Sequence, residues 1–83
     1  MIVMPDADLD QAVDALIGAG YGSAGERCMA ISVAVPVGEE TAQRLPNRLV
    51  ERAKQLRGGH SLDPKADYAP LATGAALARV RGY

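Results

Sequence analysis

Residues 18–30 read Gly18-Ala19-Gly20-Tyr21-Gly22-Ser23-Ala24-Gly25-Glu26-Arg27-Cys28-Met29-Ala30 and hold four of the chain's nine glycines together with its only cysteine. An amphipathic helical pattern enters this stretch from the N-terminal side, and a β-branched run leaves it. Each glycine weakens a helix by about 1 kcal/mol relative to alanine, so the helix is expected to reach Tyr21 or Ser23 and to have ended by Gly25. Cys28 then sits at a helix-to-strand junction, the kind of connection on which functional side chains are displayed.

Upstream of the junction, Leu9, Val13, Leu16 and Ile17 recur at helical spacing, with Ala12 and Ala15 beside them and Asp10, Gln11 and Asp14 facing away. Asp6, Asp8 and Asp10 crowd the start of this pattern, where carboxylates cap free amides and meet the positive end of the helix dipole. A helix is therefore expected to begin near Asp8. Before it, Met1-Ile2-Val3-Met4 is a short apolar run closed by Pro5, the form of the end of a buried strand.

Downstream, Ile31-Ser32-Val33-Ala34-Val35-Pro36-Val37 alternates β-branched with smaller residues and is bounded by Gly38. The alternation predicts a buried strand with Pro36 near its end. A second helix is expected from Gly38-Glu39-Glu40-Thr41 onward, with an apolar face of Ala42, Leu45, Leu49, Val50, Ala53 and Leu56 and a row of Arg44, Arg48 and Arg52 opposite. Pro46 falls inside it and is expected to kink it or delay its start, since an interior proline costs about 3 kcal/mol. Gly58-Gly59 ends that helix. A polar loop containing His60, Pro64 and Pro70 follows, and Thr73-Gly74 opens a last short helix through Ala75, Leu77, Ala78 and Val80.

The order is strand, helix, strand, helix, loop, helix, which is an α/β pattern with a parallel sheet. Two strands make a sheet that is incomplete on its own, with apolar edges that call for neighbours. With 83 residues the chain is at most one small domain, and a domain of that size buries only about two-thirds of its unfolded surface. The apolar content is mostly Ala, Val and Leu, with no Trp or Phe. Residues 1–83 thus read as a piece of a larger core.

Charge and cysteine usage exclude several classes of function. A net charge of −1 and a pI near 5.7 give no electrostatic footprint for nucleic acid or an anionic membrane. No apolar run approaches the roughly 18 residues of a membrane span, no basic-then-apolar leader opens the chain, and the expectation is a soluble, cytoplasmic protein. One cysteine makes no intrachain disulfide, and one His with one Cys makes no zinc site unaided.

Chemistry centres on Cys28. Arg27 beside it and the amides of a glycine-rich turn both favour a thiolate, the nucleophilic form, and the Cys28 amide is a candidate oxyanion donor. The same residue also reads as a small buried hydrophobe at a helix end. No base is placed by spacing, because Glu26 at i−2 does not share a helix face with Cys28. His60 lies in a polar loop and reads as a surface residue. The Arg44, Arg48, Arg52 row is interrupted by Glu51 and lacks aromatics, so it reads as a solvated face. Gly18-Ala19-Gly20-Tyr21-Gly22 follows a helix instead of a strand and is no dinucleotide fingerprint.

Gly25-Glu26-Arg27-Cys28-Met29-Ala30 resembles the catalytic-cysteine motif of the aldehyde dehydrogenase superfamily, usually Gly-Gln-x-Cys-x-Ala. The Arg-Cys-Met-Ala form is similar to the CoA-acylating methylmalonate-semialdehyde (malonate-semialdehyde) branch. Pro5-Asp6-Ala7-Asp8-Leu9-Asp10-Gln11-Ala12 resembles a second segment of the family, and Leu62-Asp63-Pro64, Pro70-Leu71 and Arg79-Val80-Arg81-Gly82-Tyr83 resemble later ones. The resemblance covers essentially the whole chain.

The resemblance implies that Cys28 is the nucleophile, passing through a thiohemiacetal and a thioester. NAD is the implied oxidant, and coenzyme A the implied acyl acceptor. Arg27 matches the position that holds the substrate's carboxylate, a task suited to a guanidinium. A small-molecule semialdehyde substrate and a homo-oligomeric parent, dimer or tetramer, follow from the same resemblance. Glu26 stands where the family has Gln, Ala69 where it has Gly, and Pro46 within a helix that normally lacks proline.

Residues 1–83 are accordingly expected to be an interior, cysteine-bearing part of a catalytic domain, with no dinucleotide-binding domain and no turnover in isolation. Two alternatives stay open at this level. One is a non-enzymatic remnant that docks onto a full-length homologue, and the other is a fragment of a non-acylating aldehyde dehydrogenase.

Overall fold

The computed structural model describes all residues, Met1–Tyr83. Strand β1 (Ile2–Val3) leads into helix α1 (Leu9–Tyr21), strand β2 (Val35–Pro36), helix α2 (Glu39–Lys54) and helix α3 (Gly74–Arg81). β1 and β2 pair in parallel, with Ile2 opposite Val35 and Val3 opposite Pro36. The α/β reading and the element order hold. The run 31–37 is strand only at residues 35–36, because β1 is the one partner within reach and offers two residues of ladder.

Val35 donates to the Met1 carbonyl and Val37 to that of Val3, each at 2.8 Å. Pro36, which has no N–H, falls between them where the ladder needs no donor from it. The expectation that 31–37 is buried fails. Val33 is 65% exposed, and Val35 and Val37 are exposed too, since no further strand covers them. In β1, Val3 is buried and Ile2 is not.

α1 starts as its sequence dictates. The Asp8 carboxylate accepts the Asp10 and Gln11 N–H groups, each at 3.0 Å, satisfying two of the free donors of the first turn. Val13, Leu16 and Ile17 turn inward and, with Val3 and Leu45, make up the buried core. Leu9, Ala12, Ile31, Ala34, Leu49, Ala53 and Leu56 pack around it.

α2 runs unbroken through Pro46, neither delayed nor ended by it. Pro46 lies on the exposed side, so its ring meets no packed neighbour. Ala42 and Val50 are also exposed and fall outside the apolar face expected for them. The arginine row is not simply solvated. Arg48 bonds Asp10, and Arg52 bonds Asp14 at 3.0 Å, so two of its members tie α2 to α1. Only Arg44 keeps to its own helix, pairing Glu40 one turn away.

The loop 57–68 closes on itself. The Asp67 carboxylate accepts the Arg57 N–H at 2.8 Å, the Gly59 N–H donates to the Tyr68 carbonyl at 3.0 Å, and the Tyr68 ring lies against Gly58. α3 is capped by Thr73, whose hydroxyl accepts the Ala76 N–H at 3.1 Å. Tyr21, Ala24, Tyr68, Pro70, Leu77 and Val80 line an open apolar groove of about 460 Å³ between α3 and the end of α1. No helix is long and apolar enough to cross a membrane.

Candidate active site

The site grows from the end of α1. Gly22 caps that helix, and its N–H donates to the Gly18 carbonyl. The backbone then reverses hand, with Ser23, Ala24 and Gly25 at φ values of 54°, 54° and 78°. Left-handed conformation suits Gly25 but costs Ser23 and Ala24 roughly 1–2 kcal/mol each. The turn is held from within by Glu26, whose N–H donates to the Ser23 carbonyl at 2.9 Å.

A second tight turn follows at once. The Ala30 N–H donates to the Arg27 carbonyl at 3.0 Å, which puts Cys28 and Met29 at the tip. The Ile31 N–H then reaches back to the Ala19 carbonyl at 3.2 Å, tying the outgoing chain to the last turn of α1. Cys28 is thus carried on a short excursion fastened at both ends to one helix.

The Cys28 side chain is exposed, which removes the reading of it as a small buried hydrophobe. Its N–H donates to no acceptor in the chain. Arg27 is exposed as well and pairs with no carboxylate; the ion pairs belong to Arg44, Arg48 and Arg52. Its guanidinium folds back over Gly22. An unneutralised cation and an unengaged amide therefore flank an open thiol.

No hydrogen bond links Cys28 to any acid or to His60. His60 serves its own loop, its Nδ1 accepting the Leu62 N–H at 3.2 Å. Glu26 makes no side-chain bond to Arg27 or Cys28. The structure therefore brings together Cys28 and Arg27 and leaves His60 and the arginine row outside the turn. What residue reasoning overlooked is Gly22, whose bare backbone lies under Arg27. The only trace in the sequence is a glycine five residues before an arginine.

The aldehyde dehydrogenase family profile matches residues 1–83, the full span of the chain. The chain belongs to the aldehyde dehydrogenase family. Among similar members, a malonate-semialdehyde dehydrogenase of Pseudomonas aeruginosa is 56% identical over 82 residues, covering 99% of this chain and 16% of that protein. The rat mitochondrial methylmalonate-semialdehyde/malonate-semialdehyde dehydrogenase [acylating] is 49% identical over 79 residues, covering 95% of this chain and 14% of its own length.

A Sinorhizobium meliloti 1021 protein described as a methylmalonate-semialdehyde dehydrogenase, solved in complex with NAD, superposes with a TM-score of 0.94 at 67% identity. That match covers 99% of this chain and 17% of the solved one. The chain thus spans about one sixth of the aldehyde dehydrogenases it matches. The likeness in sequence and in shape falls on the same semialdehyde-named members of the family.

Proposed function

We propose that residues 1–83 are the cysteine-bearing part of the catalytic domain of an NAD-dependent, CoA-acylating malonate- or methylmalonate-semialdehyde dehydrogenase. The reading is carried by the pairing on one anchored turn of an exposed Cys28 with an Arg27 that no carboxylate neutralises. Members of the family bearing semialdehyde names at 56% and 49% identity support it.

In this reading the Cys28 thiolate attacks the aldehyde carbon, and the carbonyl π electrons move to oxygen as the C–S bond forms. The unengaged Cys28 N–H supplies one donor to that oxyanion. Arg27 receives the substrate's carboxylate through its planar fork of N–H donors, which holds the aldehyde end against the sulfur. NAD, when bound by the whole protein, accepts the hydride whose loss leaves the acyl group on Cys28 as a thioester. A coenzyme A thiolate then attacks that carbonyl, the C–S bond to Cys28 breaks, and the thiolate is regenerated.

The residues of this chain do not themselves form a nucleotide site. Their glycine-rich stretch ends a helix instead of opening one after a strand, which is the wrong polarity for a pyrophosphate at a helix N-terminus. Recognition of NAD and coenzyme A is accordingly assigned to the rest of the whole protein, and the 83 residues alone are expected not to turn over.

The test is a graft in which residues 1–83 replace the matching segment of the Pseudomonas aeruginosa enzyme. CoA-dependent NADH formation from malonate semialdehyde should persist in the graft and fall at least about 10³-fold on Cys28→Ala, as expected for loss of a nucleophile. Arg27→Leu should lower kcat/KM for malonate semialdehyde roughly ten- to a hundredfold, the worth of a charge-assisted hydrogen bond, while sparing propanal. Equal loss on both aldehydes would sink the clamp assignment.

A further inference from the structure

We propose that Gly22 is the positioning residue for the Arg27 guanidinium, and that substrate selectivity depends on its having no side chain; this rests on the reading of Arg27 as the carboxylate clamp. A Cβ placed on Gly22 would lie 2.8 Å from Arg27 Cζ and 3.1 Å from each of the two terminal nitrogens. The near-equal distances mean that the guanidinium lies flat over the glycine, presenting its plane to the backbone and leaving its N–H edge directed sideways.

Backbone conformation does not explain the glycine. Gly22 has φ −54° and ψ 133°, a region open to any L-residue, whereas Gly25 at φ 78° does require glycine. The constraint at position 22 is therefore the space taken by the guanidinium. The left-handed run at Ser23, Ala24 and Gly25 is what bends the chain so that Arg27 meets Gly22 from above.

The consequence is separable from folding. The obstructed atoms are the far end of a flexible side chain, so a methyl group at position 22 displaces the guanidinium and leaves the backbone in place. The displaced cation no longer meets the substrate's carboxylate, while Cys28 keeps its turn and its anchors at Ala19 and Ser23.

In the full-length graft, Gly22→Ala is expected to raise KM for malonate semialdehyde about tenfold, with kcat/KM for propanal held within about twofold. Gly18→Ala serves as the control. Nothing lies within 4 Å of its added Cβ, and both substrates should be unaffected. The double variant Gly22→Ala/Arg27→Leu should be no worse on malonate semialdehyde than Arg27→Leu alone, because both changes remove the same contact.

Additive losses, an unchanged KM for malonate semialdehyde, or equal losses on both aldehydes would overturn the proposal. If Arg27→Leu is selective and Gly22→Ala is not, the seat fails and the clamp stands; if Arg27→Leu is unselective, both fall. Should Gly22→Ala prove insoluble, Gly22→Ala/Arg27→Ala decides. Restored solubility supports a steric conflict confined to the guanidinium, and continued insolubility refutes it.

Discussion

Ser23 and Ala24 adopt a left-handed backbone that neither residue type favours, and Gly25 completes the run. The local cost is tolerable because Glu26 closes the turn onto Ser23 and Ile31 fastens the exit to Ala19. Two neighbouring glycines separate conformational need from mere space. Gly25→Ala should destabilise the full-length graft by about 1–2 kcal/mol in urea unfolding, whereas Gly18→Ala, inside α1, should be neutral or stabilising by up to about 1 kcal/mol. The sequence names Cys28 and Arg27 as the residues of interest because they stand in a recognisable motif. It does not announce the reversal of hand before them, because Ser and Ala carry no preference for that region. Gly22 escaped notice for a related reason: its use is set by a side chain five residues on, which no local propensity encodes.

At the level of the elements, α1 was the most legible, since an aspartate cap and a period of 3.6 residues agree about where it starts and which way it faces. Asp10 and Asp14 were less so. Each follows a core residue by one position, a turn of about 100°, and so lies at the rim of the apolar face instead of opposite it. From the rim they meet Arg48 and Arg52 across the helix pair. Exposed pairs of this kind contribute roughly 0.2–1 kcal/mol each, and less at high salt. Run 31–37 misled for the opposite reason: β-branched alternation reports fitness for a sheet but cannot report how many partners are present. Pro46 is the clearest local conflict. It forfeits a backbone bond inside α2 and packs against nothing in return. Pro46→Ala is therefore expected to stabilise the graft, by up to about 3 kcal/mol, and a drop in its urea midpoint would contradict this.

For the molecule as a whole, only Val3, Val13, Leu16, Ile17 and Leu45 are buried out of 83 residues. These five come from β1, α1 and α2, so α3 and the 57–68 loop contribute nothing to the fully buried core. Meanwhile Ile2, Val33, Val35 and Val80 stand in solvent. A core of this size cannot offset the conformational entropy of ordering the chain by a useful margin. The isolated 83 residues should therefore show no cooperative thermal transition by circular dichroism, while the same residues in the graft should unfold with the host. A sigmoidal melt that coincides across two probes would show the segment to be an autonomous domain.

The reversal of hand at residues 23–25 has a stereochemical corollary. A φ of +54° is the ordinary right-handed helical value seen in a mirror, so a D-alanine at position 24 would occupy its own favoured basin while keeping the same methyl group. The single cysteine, four residues later, is also the junction at which a synthetic peptide ending at Arg27 can be joined chemically to one beginning with Cys28. The chain thus carries, side by side, a site where inverted chirality should be welcome and the natural seam through which to introduce it.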